Sequence, residues 1–138
     1  MNAADQFPKS SPDEGSYESS TAPWPVELRV FKKEARIEIE FSDGCTHSLP
    51  AEYLRVESPS AEVQGHGASQ KKIVSGRRHV KIAEVEPVGN YAIRIIFDDR
   101  HDTGIYSWSY LRDLGDSHAE RWAAYEAALL SRGLSRDR

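Results

Sequence analysis

The stretch FSDGCTHSLPAEYLR, residues 41–55, is echoed by FDDRHDTGIYSWSYLR, residues 97–112. Each copy begins with phenylalanine, continues through an acidic turn and a short run, and ends in Tyr-Leu-Arg. Asp and Gly tolerate the positive φ that a tight turn requires. The repeat therefore predicts two units, each a strand, an acidic turn, a short return strand and a helical turn. Two copies are too few for a solenoid. They fit either a duplicated half-domain or the same local structure used twice.

Alternating apolar and polar residues predict a hairpin before the first turn. In PVELRVF, residues 25–31, every second residue is apolar, and RIEIEF, residues 36–41, repeats the pattern. Period two with one apolar face is typical of a half-buried strand. The polar KKEA between them is a reasonable hairpin connection. CTHSL after the turn then returns as a third, short strand.

A second set of strands is predicted further along the chain. KKIVSG, residues 71–76, predicts a weak strand, and VKIAEVEPVG, residues 80–89, predicts a strand that breaks at Pro87. VGN then signals a tight hairpin, and GIYS predicts a short return strand after the second acidic turn. The strongest strand pattern is NYAIRIIFDD, and its apolar face comprises Tyr91, Ile93, Ile95 and Phe97.

Helical segments are predicted after each return strand and at the C-terminus. PAEYLR predicts one turn with Pro50 at its start, and VESPSAEVQGHGAS predicts a loop. SWSYLRDLG predicts a helical turn stopped by Gly115. DSHAERWAAYEAALLSRG predicts a helix of about four turns, capped by Asp116 or Ser117, closed by Gly133 and packed on the sheet through its Trp and Leu residues. The fold class is α+β, mainly antiparallel sheet with short helical turns and one C-terminal helix.

Composition divides the chain into four parts. Residues 1–24 are rich in Ser, Pro, Asp and Glu, with almost no aliphatic side chain, which predicts a disordered tail. Residues 25–115 form the predicted domain, 116–132 a helix packed on it, and 133–138 a flexible tail. About 110 folded residues suffice for one modest core.

Charge and cysteine content restrict the classes of function. A net charge of −4 argues against a nucleic-acid partner. The local basic run QKKIVSGRRHVK, residues 70–81, is interpreted as a solvated strand or loop rather than a phosphate site. One cysteine excludes an intrachain disulfide and a cage of several thiolates around zinc. With no membrane-length apolar stretch and no signal pattern, a cytoplasmic location is expected, without a membrane partner.

Two longer phrases carry a family resemblance. LPAEYLRVESPSAEVQGHG, residues 49–67, and EPVGNYAIRIIFDDRHDTGIYSWSYL, residues 86–111, resemble a bacterial domain of unknown function named for gamma-butyrobetaine hydroxylase. That name refers to the N-terminal domain of gamma-butyrobetaine and trimethyllysine dioxygenases. The resemblance implies a small mixed α/β domain, free-standing in bacteria or fused to other proteins, including Mrp-type iron–sulfur carriers.

The resemblance also implies a structural zinc in the dioxygenases, held by three cysteines and one histidine. Only His101 stands where that histidine stands; Ser58, Ser60 and Val63 occupy the cysteine positions. Serine is a poor zinc ligand and valine is none, so this four-ligand site is not expected. Dioxygenase chemistry is not expected either, because it needs a His-x-Asp/Glu pair and a distal histidine on a much longer chain, whereas His101 and Asp102 are adjacent.

Histidines and the single cysteine suggest two further candidate sites. His66, between glycines in QGHG, and His101, in the acidic turn, would form a weak divalent metal site with a nearby carboxylate if the two loops meet. The simpler interpretation is that both histidines hydrogen-bond to loop backbone. Cys45 and His47 suggest a thiol–imidazole pair. No oxyanion-hole motif accompanies them, and a buried or edge cysteine is the simpler interpretation.

Aromatic and arginine residues suggest a docking surface. Arg55, Tyr106, Trp108 and Arg112 combine the side chains that are enriched at protein interfaces, although such aromatics are also ordinary core. The leading hypothesis is a small non-enzymatic binding or adaptor module that binds a protein and no cofactor. The alternatives are a metal-binding module based on His66 and His101, linked to iron–sulfur or metal handling, and an unrecognised enzyme.

Overall fold

The structure, a computed structural model, describes residues 22–65 and 71–137. Its helices and strands follow one another in the order β1 (Pro25–Phe31), β2 (Arg36–Phe41), β3 (Thr46–Pro50), α1 (Ala51–Val56), α2 (Ala61–Gln64), β4 (Ile82–Val88), β5 (Ala92–Phe97), β6 (Gly104–Ser107), α3 (Trp108–Asp116) and α4 (His118–Ser131). This is the predicted α+β class. None of these helices is long and apolar enough to cross a membrane.

The strands form two antiparallel sheets rather than one. The first has the order β1-β2-β3 and the second the order β4-β5-β6. In β2 the alternation places Ile37 and Ile39 in the interior, and Ile39 pairs with Leu28 of β1. In β5 it places Ile93 and Ile95 there. Each sheet buries one face because the side-chain period of a strand is two.

One hydrophobic core joins the two sheets. Its buried side chains come from both sheets and from α1 and α3, and include Ile39, Leu54, Ile95, Tyr106 and Leu111. Burying one aliphatic side chain of this size stabilises the fold by about 1.5–3 kcal/mol. Since neither sheet can cover its own apolar face, the units at residues 25–56 and 82–116 depend on each other.

The C-terminal helix α4 packs against α1 and a loop, not on a sheet as predicted. Tyr125 and Leu129 form a small cluster with Val56, and Ile73 and Val74 pack against it. Trp122 contacts this cluster and the main core. Leu130, one of the leucines predicted to pack on the sheet, is 83% exposed.

Several local predictions were wrong where tertiary contacts outweigh the local signal. Pro87 lies inside β4 and pairs with Ile93, which is tolerated because β4 is an edge strand. Tyr91 is in the hairpin turn and 57% exposed, rather than on the buried face. The predicted loop contains the short helix α2. Pro50 ends β3 and caps α1 from outside the helix.

The basic run forms an irregular segment instead of a strand at residues 71–76. Three of its cations are paired with carboxylates: Lys71 with Glu57, Arg77 with Asp99, and Arg78 with Asp137. Of the predicted strand or loop, the structure therefore has the loop.

Residues after α4 make specific contacts, which differs from the flexible tail predicted at 133–138. Gly133 has φ of 67° and Leu134 N donates to Leu129 O at 2.9 Å, so the helix ends at a glycine as predicted. Gly76 N donates to Ser135 O at 2.9 Å. Arg136 donates two hydrogen bonds to the buried carboxylate of Glu52, at 2.7 and 2.8 Å.

Gly115 lies inside α3 and does not stop the helix as predicted. The imidazole of His47, from β3, rests against it: a Cβ atom at position 115 would stand 2.1 Å from His47 Cδ2. This glycine therefore allows a helix and a strand side chain to approach closely.

We expect Gly115→Ala to lower the free energy of unfolding by about 1–3 kcal/mol, because the steric clash outweighs the better helix propensity of alanine. Urea unfolding measures the loss. The matched control is the same change in a His47→Ala background, where the clash is absent and alanine stabilises the helix. An equal cost in both backgrounds would contradict this role of Gly115.

Candidate functional site

The two acidic turns have the same hydrogen bonds. Cys45 N donates to Asp43 Oδ1 at 3.1 Å in the first turn, and His101 N donates to Asp99 Oδ1 at 3.1 Å in the second. An aspartate that accepts from the backbone two residues later stabilises a turn locally. In both turns the second carboxylate oxygen is left to accept a hydrogen bond from elsewhere.

Each turn is held by the arginine of the other unit. Arg55 Nε, at the end of α1, donates to Asp99 Oδ2 at 2.8 Å. Reciprocally, Arg112 Nη2 in α3 donates to Asp43 Oδ2 at 2.9 Å. The conspicuous Tyr-Leu-Arg triplets of the sequence therefore end in residues that cross between the units.

The tyrosines of the two triplets cross in the same way. Tyr53 OH donates to Leu114 O at 2.7 Å, near the end of α3. Tyr110 OH donates to Glu57 O at 2.5 Å, just after α1. These hydroxyls satisfy carbonyls near helix C-termini, which have no partner inside the helix. The sequence repeat thus corresponds to reciprocal contacts between two meander-and-helix units.

The two arginine–aspartate pairs differ in burial. The side chains of Arg55 and Asp99 are 9% and 13% exposed, whereas those of Arg112 and Asp43 are 22% and 43% exposed. Burial by itself raises the pKa of Asp99, but hydrogen bonds from Arg55 and His101 N and the charge of Arg77 outweigh it and hold the pKa below its usual value. Asp99 is therefore ionised in the fold.

His101 occupies a closed pocket between the second turn and the segment after α1. Its side chain is 3% exposed, and Nδ1 lies 3.2 Å from Glu62 Oε1. Ser58 Oγ lies 2.9 Å from Nε2. A carboxylate only accepts, so Nδ1 donates to Glu62 and the Ser58 hydroxyl donates to Nε2. Burial, with the Arg55 charge, lowers the pKa of His101 and favours this neutral imidazole.

The residues around His101 do not fit the zinc that the family resemblance implies. Ser58 is hydrogen-bonded to the imidazole, and Ser60 Oγ is buried with no hydrogen-bond partner among the residues described. Val63 is a buried apolar side chain. A hydroxyl pair and a valine cannot supply the thiolates of a structural zinc site.

The metal site predicted from His66 and His101 stays a prediction. His66 lies outside the described residues. The carboxylate that reaches His101 is Glu62 of α2, a residue that the sequence analysis did not consider. Asp99 of the acidic turn binds Arg55 and Arg77 instead.

A third group of side chains meets where β3 approaches the end of α3. His47 Nε2 lies 3.4 Å from Cys45 Sγ and 2.8 Å from Asp116 Oδ1. Both contacts fall on the same ring nitrogen, whereas a catalytic Cys-His-Asp relay uses opposite nitrogens. The hydrogen bond from His47, with that from Arg112, lowers the pKa of Asp116. The sequence indicated the pairing of Cys45 with His47 but gave no sign of Asp116.

The four residues predicted to form a docking surface are not equally accessible. Tyr106 is fully buried, with its hydroxyl donating to Leu54 O, and Arg55 is buried in its ion pair with Asp99. Trp108 is partly buried, and its Nε1 donates to Asn90 O at 2.9 Å. Arg112 is partly exposed. On the folded protein, a partner can reach only Trp108 and Arg112 of the four.

These features define a small α+β domain built from two interlocked meander-and-helix units. The sequence model of the family described as gamma-butyrobetaine hydroxylase-like, N-terminal, matches residues 28–112. The chain belongs to this family. The matched region begins in β1 and ends in α3, so it contains both units and both reciprocal arginines.

Solved structures agree with this assignment. Two solution NMR structures are 41% and 42% identical to the chain, each with a TM-score of 0.73. They cover 83% and 88% of this chain, and 90% and 91% of their own chains. A crystal structure of a DUF971 family protein of unknown function from Acidithiobacillus ferrooxidans ATCC 23270 is 41% identical. It covers 67% of this chain and 92% of its own, with a TM-score of 0.57. A search of curated proteins found no match.

Proposed function

We propose that this domain is a non-enzymatic binding module that docks another protein on the outer side of its second sheet. The observation that carries this proposal is the exposure of two large apolar side chains, one on β6 of that sheet and one in the turn between β4 and β5. Tyr91 in the β4–β5 turn is 57% exposed, and Ile105 in β6 is 44% exposed. We use the name Tyr91 surface for the exposed side chains of Tyr91 and Ile105 together with the partly buried Trp108.

The surroundings of the Tyr91 surface support the proposal. Trp108 N donates to Tyr91 O at 3.1 Å, which ties the start of α3 to the turn. Ile105 pairs in register with Arg94 of β5, and Arg94 Nη2 lies 2.8 Å from Glu86 Oε1 of β4. Aromatic and aliphatic residues beside a charged rim are typical of protein interfaces.

Two observations favour binding over catalysis. The nucleophile and carboxylate of the Cys45 group share one nitrogen of His47, so they do not form a proton relay. Both ring nitrogens of the buried His101 are already occupied by hydrogen bonds, one with Ser58 and one with Glu62. The alternative metal module based on His66 and His101 would require a metal to displace one of these bonds.

The test places a photo-crosslinking amino acid at position 91 of the full-length protein in cells of the source organism. We expect one discrete protein adduct. We then expect the Ile105→Asp variant to bind the purified partner at least about tenfold more weakly than the wild type, because a charge replaces an apolar side chain that the partner would bury. Leu130→Asp is the matched control, since Leu130 is a more exposed leucine on α4. Equal losses for both variants, or no adduct at position 91, would contradict the proposal.

A further inference from the structure

We propose that Cys45, His47 and Asp116 form a binding site for one divalent transition metal ion of the Zn²⁺ class. The three residues supply a sulfur, an imidazole nitrogen and a carboxylate oxygen that all lie within 4.8 Å of one another. The site shares no residue with the His101 pocket or with the Tyr91 surface, and it does not depend on the proposed protein partner.

Two of the three distances between the donor atoms are close to those of a tetrahedral zinc site. Zinc bonds of about 2.3 Å to sulfur and about 2.0 Å to nitrogen or oxygen place the ligand atoms roughly 3.3–3.6 Å apart. Cys45 Sγ and His47 Nε2 are already 3.4 Å apart. The 2.8 Å hydrogen bond between His47 Nε2 and Asp116 Oδ1 would lengthen by about half an ångström as the metal replaces its proton.

The donor set selects among metals. A thiolate with an imidazole favours Zn²⁺ and related transition metals, whereas Mg²⁺ and Ca²⁺ prefer sites made of oxygen ligands. Three protein ligands leave the fourth tetrahedral position to water. The side chains of His47 and Asp116 are 18% and 50% exposed, so water and metal can reach the site from the surface.

Supporting residues hold the ligands in place. Cys45 and His47 are two residues apart and turn toward the same side of the first sheet. Gly115 lets the His47 ring lie against α3 beside Asp116. Arg112 Nε donates to Asp116 Oδ2 at 3.0 Å and orients the carboxylate. Such outer contacts are typical of metal sites because they fix the ligand rotamers before binding.

The local charge suits a dication. Among the residues that the structure describes, the guanidinium of Arg112 pairs with both Asp43 and Asp116. With Cys45 as thiolate, these two carboxylates and Arg112 leave two negative charges, which a divalent ion neutralises. The single positive charge of Arg112 weakens binding of a cation less than the three negative charges of the thiolate and the two carboxylates strengthen it.

The test titrates Co²⁺ and then Zn²⁺ into full-length, chelator-treated protein. We expect one equivalent of Co²⁺ to produce a thiolate-to-cobalt charge-transfer band and tetrahedral d–d absorption, and Zn²⁺ to abolish both. Cys45→Ser should remove the charge-transfer band and weaken Zn²⁺ binding by at least about tenfold, with Asp116→Asn weakening it similarly. An unchanged urea midpoint without metal shows that the variants fold.

His101→Ala is the matched control, because it removes the histidine of the other candidate metal site. Binding that survives His101→Ala and is lost with Cys45→Ser supports the proposal. Three results would overturn it: no Co²⁺ or Zn²⁺ bound by the folded wild type, binding undiminished in Cys45→Ser, or binding lost only with His101→Ala.

Discussion

Arg55→Met is expected to lower the free energy of unfolding by about 3 kcal/mol, whereas Arg112→Met should cost about 1 kcal/mol or less. Removing Arg55 leaves the carboxylate of Asp99, 13% exposed, with Arg77 as its remaining cation. Because Arg77 still pairs with Asp99, the expected loss in the free energy of unfolding lies at the lower end of the range for breaking a buried ion pair. Urea unfolding at pH 7 compares the two variants.

The sequence repeat supplies the control in this comparison. Arg55 and Arg112 occupy equivalent positions and each bridges to the turn of the other unit, but only the Arg55 pair is buried. Methionine preserves most of the aliphatic length at both sites. Equal losses for the two variants would show that burial does not decide the energetic difference.

The same pair shapes stability in acid. Because the pKa of Asp99 is lowered in the fold, its contribution is present above its unfolded pKa of about 4 and is lost as pH falls through the lower folded value. The Arg55→Met variant should therefore lose less stability than the wild type between pH 4 and pH 2.

Alkali should unfold the protein cooperatively above pH ~10, the pKa of tyrosine in an unfolded chain. Burial raises the pKa of Tyr110 and Tyr125 to about 12, and raises the pKa of Tyr53 and Tyr106 further. A raised pKa means that these tyrosines stay protonated to a higher pH in the folded state than in the unfolded state. Stability is therefore fully present below pH ~10 and falls as pH rises, by about 1.4 kcal/mol per pH unit for each fully buried tyrosine.

Tyrosinate absorbance and far-UV circular dichroism measure this transition together. The part of the absorbance change that comes from Tyr53, Tyr106, Tyr110 and Tyr125 should occur at the same pH as the change in dichroism, because these hydroxyls ionise only as the chain unfolds. Tyr91→Phe is the control: Tyr91 is 57% exposed, so its removal should leave the dichroism midpoint unchanged. Tyrosine ionisation that is complete while the dichroism is still native would contradict the prediction.

Local patterns sufficed where the chain obeys one periodicity. The alternation of Ile37, Ile39 and Phe41 predicted β2 and its buried face, and the spacing of Tyr125 and Leu129, with Gly133 beyond, predicted α4 and its end. In these segments propensity, hydrophobic pattern and tertiary burial agree, which is why they could be predicted without coordinates.

Local patterns failed where contacts with residues far away in the chain decide the structural role of a residue. Gly115 was predicted to stop α3, yet it lies inside the helix, and its lack of a side chain makes room for the His47 ring. Pro87 was predicted to break its strand, yet it lies inside β4, which is an edge strand of the second sheet. Tyr106 was included in the predicted docking surface, with the core as the alternative, and the packing of the two units buries it completely.

The ligands of the candidate metal site could likewise be predicted from the sequence only in part. Cys45 and His47 are neighbours in the sequence, so their pairing was visible. Asp116 stands 69 residues from His47, and only the docking of α3 against β3 brings the two within 2.8 Å. Glu62 reaches His101 in the same way, through α2, which the sequence did not predict.

Sequence pattern alone establishes the α+β class, most of the strands, and the repeated unit with its Tyr-Leu-Arg triplet. These features depend on interactions between residues close in the chain. The packing of the two units establishes that Arg55 and Arg112 cross between them, that only the Arg55 pair is buried, and that Cys45, His47 and Asp116 meet. Those features depend on contacts between distant segments, whose geometry is defined only when both apolar sheet faces close on one core.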